Sequence, residues 1–134
     1  MKVVVTGGAG FVGSNLVRHL EHVPEVTETI VLDDLSFGLR ENLDGVRTTL
    51  VEGSILDESL LEEVFTAAGA VVHLAARSSV PRSVAHPMAA HEANATGTVR
   101  VLEAGHRLSP PRGLGGRSPL YSPSITMLPE SRAI

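Results

Sequence analysis

With 134 residues, 43% of them apolar and 19% charged, the chain has the size and composition of one globular domain, and its formal net charge of −4 argues against a general affinity for nucleic acid. No run approaches the roughly eighteen uninterrupted apolar residues of a membrane span, no signal-peptide layout precedes the first strand-like run, and zero cysteines exclude disulfides and thiolate chemistry. These features together predict a cytoplasmic protein without a membrane partner. The charge is unevenly spread. Residues 1–104 hold seven Lys or Arg against fourteen Asp or Glu, whereas residues 105–134 hold four Arg against Glu130 alone and carry five of the eight prolines. A boundary is expected there, between a domain over 1–104 and a Pro/Gly/Arg-rich tail over 105–134.

Val3 to Val5 form a short β-branched run, which suits a strand buried on both faces of a parallel sheet. Gly7, Gly8, Gly10 and Gly13 stop it, and Leu16, Val17 and Leu20 then predict a helix over roughly Phe11 to His22. Glycines between a strand and a helix let the backbone approach a ligand, and the new helix aims unpaired N–H groups and its positive dipole end at whatever lies above, favouring a pyrophosphate. Gly8-x-Gly10-x-x-Gly13 matches dinucleotide-binding spacing, as does Gly7-x-x-Gly10-x-x-Gly13. Such spacing alone is common. Context sharpens it, because Asp33 lies twenty positions past Gly13 at the end of the next apolar run, Thr29 to Leu32, where a carboxylate accepts hydrogen bonds from the adenosine ribose hydroxyls.

Thr48 to Val51 read as a third strand, and Asp57 as the N-cap of a helix through Leu60, Leu61, Val64 and Phe65, with Gly69 as its C-terminal stop. Ala70 to Ala76 give a fourth strand, a loop is expected from Arg77 to Pro87, and a helix from about Met88 to Ala104. Strands alternating with helices predict an α/β, Rossmann-like doubly wound parallel sheet, with the ligand above the C-terminal strand ends. The glycine turn, Asp33, Gly53-Ser54-Ile55 and Leu74-Ala75-Ala76 all fall at such ends.

Thr6-Gly7-Gly8-Ala9-Gly10-Phe11-Val12-Gly13, Leu32-Asp33-Asp34-Leu35-Ser36, Gly53-Ser54-Ile55-Leu56-Asp57, His73-Leu74-Ala75-Ala76, Val80-Pro81-Arg82-Ser83 and Asn94-Ala95-Thr96-Gly97-Thr98 resemble the NAD-dependent epimerase/dehydratase family. This is the extended branch of the short-chain dehydrogenase/reductases, and the likeness to nucleotide-sugar 4-epimerases, such as UDP-glucose 4-epimerase, is strongest over about residues 1–104. The resemblance implies NAD as cofactor and a nucleotide-sugar as substrate of full-length relatives, with the oligomeric state open. It implies further that Gly7, Gly10 and Gly13 shape the turn and that Phe11 and Val12 lie beneath the pyrophosphate. Asp33 would take the ribose, with Asp34 to Gly38 closing round it, and Ser54 and Ile55 would take the adenine, Ser54 standing where the family usually has Asp. Leu74, Ala75 and Ala76 would line the nicotinamide side, with Arg77 and Ser78 beside them, and Asn94 would brace the crevice. Asp33 and Asp34 favour NAD over NADP, since a 2′-phosphate would meet carboxylates.

The family oxidises a sugar hydroxyl with a Tyr-x-x-x-Lys pair, in which the ammonium lowers the tyrosine pKa. Here the single tyrosine, Tyr121, is followed four positions on by Ile125, and the only lysine is Lys2. No catalytic residue is therefore assigned. Gly105 to Leu120 holds three prolines and four glycines, which excludes the apolar fifth strand of the family, although Tyr121 to Glu130 is family-like again. A local change of reading frame and genuine divergence both account for this. The sheet is expected to be truncated after about four strands, with the catalytic tyrosine position and the substrate domain absent. Two functions follow: the NAD-binding portion of a nucleotide-sugar epimerase or dehydratase, or a non-catalytic fragment that at most binds NAD or a partner. The six histidines show no paired ligand spacing, so no metal site is expected; His73 reads as a core or strand-end residue, and Arg77 and Arg82 as phosphate contacts or solvated loop charges.

Overall fold

The computed structural model describes residues 1–108. In chain order these form β1 (Lys2–Thr6), α1 (Phe11–Leu20), β2 (Glu28–Asp33), a 3₁₀ turn (Arg40–Leu43), β3 (Thr49–Glu52), α2 (Glu58–Phe65), β4 (Ala68–His73), α3 (Val80–Ala85), α4 (Pro87–His91), a π turn (Glu92–Thr96) and α5 (Gly97–Leu108). The four strands are parallel in the order β3-β2-β1-β4, so Val4 sits between Ile30 and Val71. Crossovers leave β1 towards β2 and then return to its other side at β4, which places a topological switch point beside β1.

Side chains alternate across the pleat and therefore serve two cores. Val3, Val5 and Val31 pack with Val17 of α1 and with Leu43, while Val4, Ile30 and Leu32 pack with Leu61, Val64 and Phe65 of α2 and Val101 and Ala104 of α5. Burying side chains of this size contributes roughly 1.5–3 kcal/mol each. This is why β1 and β2 read as unbroken β-branched runs: both of their faces are covered by helices.

Asp57 caps α2 as expected, its carboxylate accepting from the Leu60 amide at 3.1 Å. Gly69 does not stop that helix. The helix ends at Phe65, Ala67 takes the left-handed turn position at φ 59°, and Gly69 is already inside β4, where a Cβ would lie 2.9 Å from the Met1 side chain. β4 likewise ends at His73, not Ala76, which releases Leu74 to Ala76 into the loop above the sheet. The segment expected to be a plain loop from Arg77 to Pro87 contains α3, with Pro81 in its first turn, where proline's missing N–H is harmless. The single helix expected over 88–104 is three segments, α4, the π turn and α5. Most of Gly105 to Leu120, and Tyr121 with it, lies outside the described residues.

Candidate functional site

Above the C-terminal ends of the strands lies a cavity of about 170 Å³. All four strands feed it: Gly7 and Gly10 after β1, Asp33, Asp34, Ser36, Phe37 and Gly38 at and after β2, Gly53 to Leu56 after β3, and Leu74 to Arg77 after β4. Ala89, Glu92 and Ala93 close it from α4 and the π turn. A second cavity of about 280 Å³ shares Phe37, Arg77 and Ala89 with it and includes Arg82, whose guanidinium stands 5.0 Å over the Phe37 ring.

The glycine turn is shaped by close approach. Gly7 has φ +72° and its missing Cβ would fall 2.6 Å from the Ala75 amide nitrogen; a Cβ on Gly13 would fall 2.3 Å from the Gly7 carbonyl oxygen. Gly10 caps α1 without a side chain, and no acidic residue stands in the first turn. Gly10 donates its own amide to the Gly7 carbonyl at 3.2 Å, and the next amides, those of Phe11, Val12 and Gly13, have no acceptor one turn back within the helix. A helix end without a side-chain cap or an acidic residue in its first turn favours an anion.

Asp33 is 8% exposed. Its two oxygens accept from the Ala9 amide and the Leu35 amide, each at 2.9 Å, so each keeps lone-pair capacity toward the cavity. Burial pushes its pKa above the usual carboxylate range, assisted by the charge of Asp34 and opposed by the two amide bonds. Asp34 is exposed and binds the Ser36 amide at 2.9 Å, which turns the loop back over the site. Ser54 accepts from the Leu56 amide at 3.1 Å and keeps its hydroxyl proton to donate. Ile55 is both a cavity wall and a core residue packed against Gly97.

Nine of the thirteen sequence-assigned residues therefore share one wall: Gly7, Gly10, Asp33, Asp34, Ser54, Ile55, Leu74, Ala75 and Ala76. Phe11, Val12, Gly13 and Asn94 do not line it. The Phe11 and Val12 side chains are exposed, leaving their amides as what they offer the site, and Gly13 is buried against the turn. Asn94 stands behind the wall: its Oδ1 accepts from the Arg77 amide at 2.7 Å and its Nδ2 donates to the Arg77 carbonyl at 2.9 Å. Sequence reasoning missed Ala89, Glu92 and Ala93. They recur at i, i+3 and i+4, one helical face, but nothing local says that this face crosses the cavity. Among the described residues, no group of three or more His, Asp or Glu forms a metal site, and no helix is long and apolar enough to cross a membrane.

Comparison with known proteins bears directly on this geometry. The model of the NAD dependent epimerase/dehydratase family matches residues 3–126, a stretch that runs past the compositional boundary near residue 104. The dTDP-glucose 4,6-dehydratase of Mycolicibacterium smegmatis is 39% identical over 110 residues, which is 80% of this chain and 33% of that protein. A UDP-glucose 4-epimerase from Klebsiella pneumoniae is 33% identical over 135 residues, covering 95% of this chain and 91% of its own length. A crystal structure of DesIV, a dTDP-glucose 4,6-dehydratase from Streptomyces venezuelae with NAD bound, superimposes with a TM-score of 0.75 at 41% identity, covering 81% of this chain and 36% of that one. Against the dehydratase relatives, the chain thus spans about a third of their length. With a family model that matches most of its length and a four-stranded parallel, Rossmann-like sheet, this chain belongs to the NAD-dependent epimerase/dehydratase family.

Proposed function

We propose that this chain is the NAD-binding portion of a nucleotide-sugar epimerase or dehydratase, similar to the UDP-glucose 4-epimerases, and that it works in the cytoplasm. The observation that carries the reading is the shared wall: Asp33, with lone-pair capacity left on both oxygens, lines the same cavity as Gly7 and Gly10 of the turn from which α1 starts. One group satisfies the ribose hydroxyls and the other the pyrophosphate, a combination that suits a dinucleotide. The amides of Phe11, Val12 and Gly13 hold the pyrophosphate, Gly7 and Gly10 let it approach, and Ser54 and Ile55 hold the adenine. Leu74, Ala75 and Ala76 line the nicotinamide end, and Asn94 braces them from behind. Bound NAD supplies reversible hydride acceptance from a sugar carbon.

Residues 1–104 form the cofactor domain and 105–134 a divergent tail. Within these 134 residues the one tyrosine has no lysine four positions on. An unperturbed phenol near pKa 10 is only about a thousandth ionised at pH 7. That observation favours a second reading for the chain by itself, as a fragment or gene remnant that binds NAD or a partner without turnover.

Calorimetry with NAD and NADP on the wild type and on Asp33→Ala tests the first reading. NAD is expected to bind more tightly than NADP in the wild type, and Asp33→Ala to weaken NAD by about tenfold or more, the worth of charge-assisted hydrogen bonds. Equal affinity for both nucleotides in the wild type would sink the Asp33 assignment.

A further inference from the structure

Behind the cavity wall, a chain of hydrogen bonds runs through the protein interior with its direction fixed by valence. The Thr98 hydroxyl lies 2.7 Å from the Asn94 carbonyl, which can only accept, so the single hydroxyl proton points there. Thr98 Oγ1 therefore meets His73 Nε2, 3.0 Å away, as an acceptor, and the imidazole carries its proton on Nε2. On the other side of the ring, Nδ1 lies 2.6 Å from the Thr6 hydroxyl. Among the described residues that hydroxyl has no other acceptor, and its oxygen takes the Ala75 amide at 3.5 Å. His73 is 6% exposed, and burial, with no charged neighbour contributing, lowers its pKa, so the ring is neutral. Every donor points one way, from Ala75 through Thr6, His73 and Thr98 to the Asn94 backbone. The Asn94 side chain then clamps both backbone groups of Arg77. The path leaves the wall at Ala75 and returns to it at Arg77.

We propose that His73, held as the Nε2–H tautomer between Thr6 and Thr98, is a positioning residue that sets the Leu74–Arg77 wall of the cavity in the shape that receives NAD. The proposal rests on the NAD-binding reading above. Neither the glycine turn nor Asp33 takes part in this path, and His73 lines neither of the two cavities described above.

Two measurements on the full chain test it. Nitrogen-15 NMR of the ligand-free protein at neutral pH should show His73 protonated on Nε2 alone; an Nδ1–H tautomer or an imidazolium overturns the directional path. NAD titrations should then be compared for the wild type, Thr98→Val and Thr98→Ser, with melting temperatures recorded alongside. Valine keeps the shape of threonine and loses the hydroxyl, whereas serine keeps the hydroxyl and loses a methyl. Thr98→Val is expected to weaken NAD by about fivefold to tenfold while Thr98→Ser stays within about twofold. Wild-type affinity in Thr98→Val overturns the proposal, and so does an equal loss in Thr98→Ser, which would mark a packing role. A wild-type chain without NAD affinity overturns the positioning role together with the cofactor reading. The tautomer spectrum then separates a wrong cofactor from a wrong hydrogen-bond path.

Discussion

On the β2 flank of β1, every residue of β2 except Glu28 is buried, and Asp33 at its end binds amides 2 and 24 residues away. On the β4 flank, only His73 of β4 is buried, and it reaches 67 residues back to Thr6 and 25 residues on to Thr98. Exposed apolar side chains occur on both sides: Met1, Phe11, Val12, Phe37 and Leu39 come before β4, and Val80, Val84, Met88, Val99 and Leu102 after it. β2 is thus buried by apolar packing on both faces, whereas β4 is only partly buried, its Ala70, Val71 and Val72 packing against the two cores and its end held further by the His73 hydrogen bonds. Apolar packing is dense and tolerates little insertion, while a hydrogen-bonded frame depends on donor and acceptor identity more than on volume.

The contrast breaks most sharply at the glycine turn. Gly13→Ala would drive a methyl to 2.3 Å from the Gly7 oxygen and 2.5 Å from Gly8 Cα, both backbone atoms that cannot swing aside. A loss of about 3 kcal/mol or more in urea unfolding is expected, large enough to unfold a marginal domain. Unchanged stability in this variant would mean that the turn is looser than its geometry indicates.

A smaller pair of substitutions compares the two sides of the α2–α5 layer. Leu61 is fully buried beneath α2, whereas Leu102 on α5 is 42% exposed. Leu61→Ala is expected to cost about 2–5 kcal/mol, and Leu102→Ser no more than about 0.5 kcal/mol. Thermal melts read both. If Leu102→Ser costs as much as Leu61→Ala, that face of α5 is covered in solution.

The smallest effect expected is on pH dependence, and the two flanks oppose each other. His73 has a folded pKa below its usual 6.5, so its contribution to stability is present above that value and is lost as pH falls through the folded pKa. Asp33 has a folded pKa above its usual 3.8, so its contribution is fully present below 3.8 and is lost as pH rises through the folded pKa. Denaturant unfolding across this range should show the His73 limb flatten in His73→Gln and the Asp33 limb flatten in Asp33→Asn. On the proposed ribose role of Asp33, NAD affinity should also fall on acidification earlier than an ordinary carboxylate predicts. An acid limb left intact in Asp33→Asn would assign it to another carboxylate.

Much of the site was legible in the chain because its signals are local. β-branched runs at Val3 to Val5 and Thr29 to Leu32, glycines between strand and helix, and Asp33 at the end of a run each announce themselves within a few residues. Parallel strands bring their C-terminal ends to one edge, so placing those signals on strand ends was enough to gather nine assigned residues on one wall. Asn94 was singled out by resemblance, but its partner, the Arg77 backbone, was not.

Determined by the sequence itself were the alternation of strands and helices, the glycine turn, the acidic residue beyond it and the want of a lysine four positions after Tyr121. Each is a matter of period, spacing or identity along the chain. The tertiary structure alone decided that Gly69 belongs to a strand, that the helix after Pro87 winds through a π turn, and that Ala89, Glu92 and Ala93 close the cavity. It also turned His73 from an apolar-strand residue into the centre of a hydrogen-bond path. That path depends on contacts between residues 17 to 69 positions apart. No local period encodes such contacts, because they form only once packing has brought the segments together.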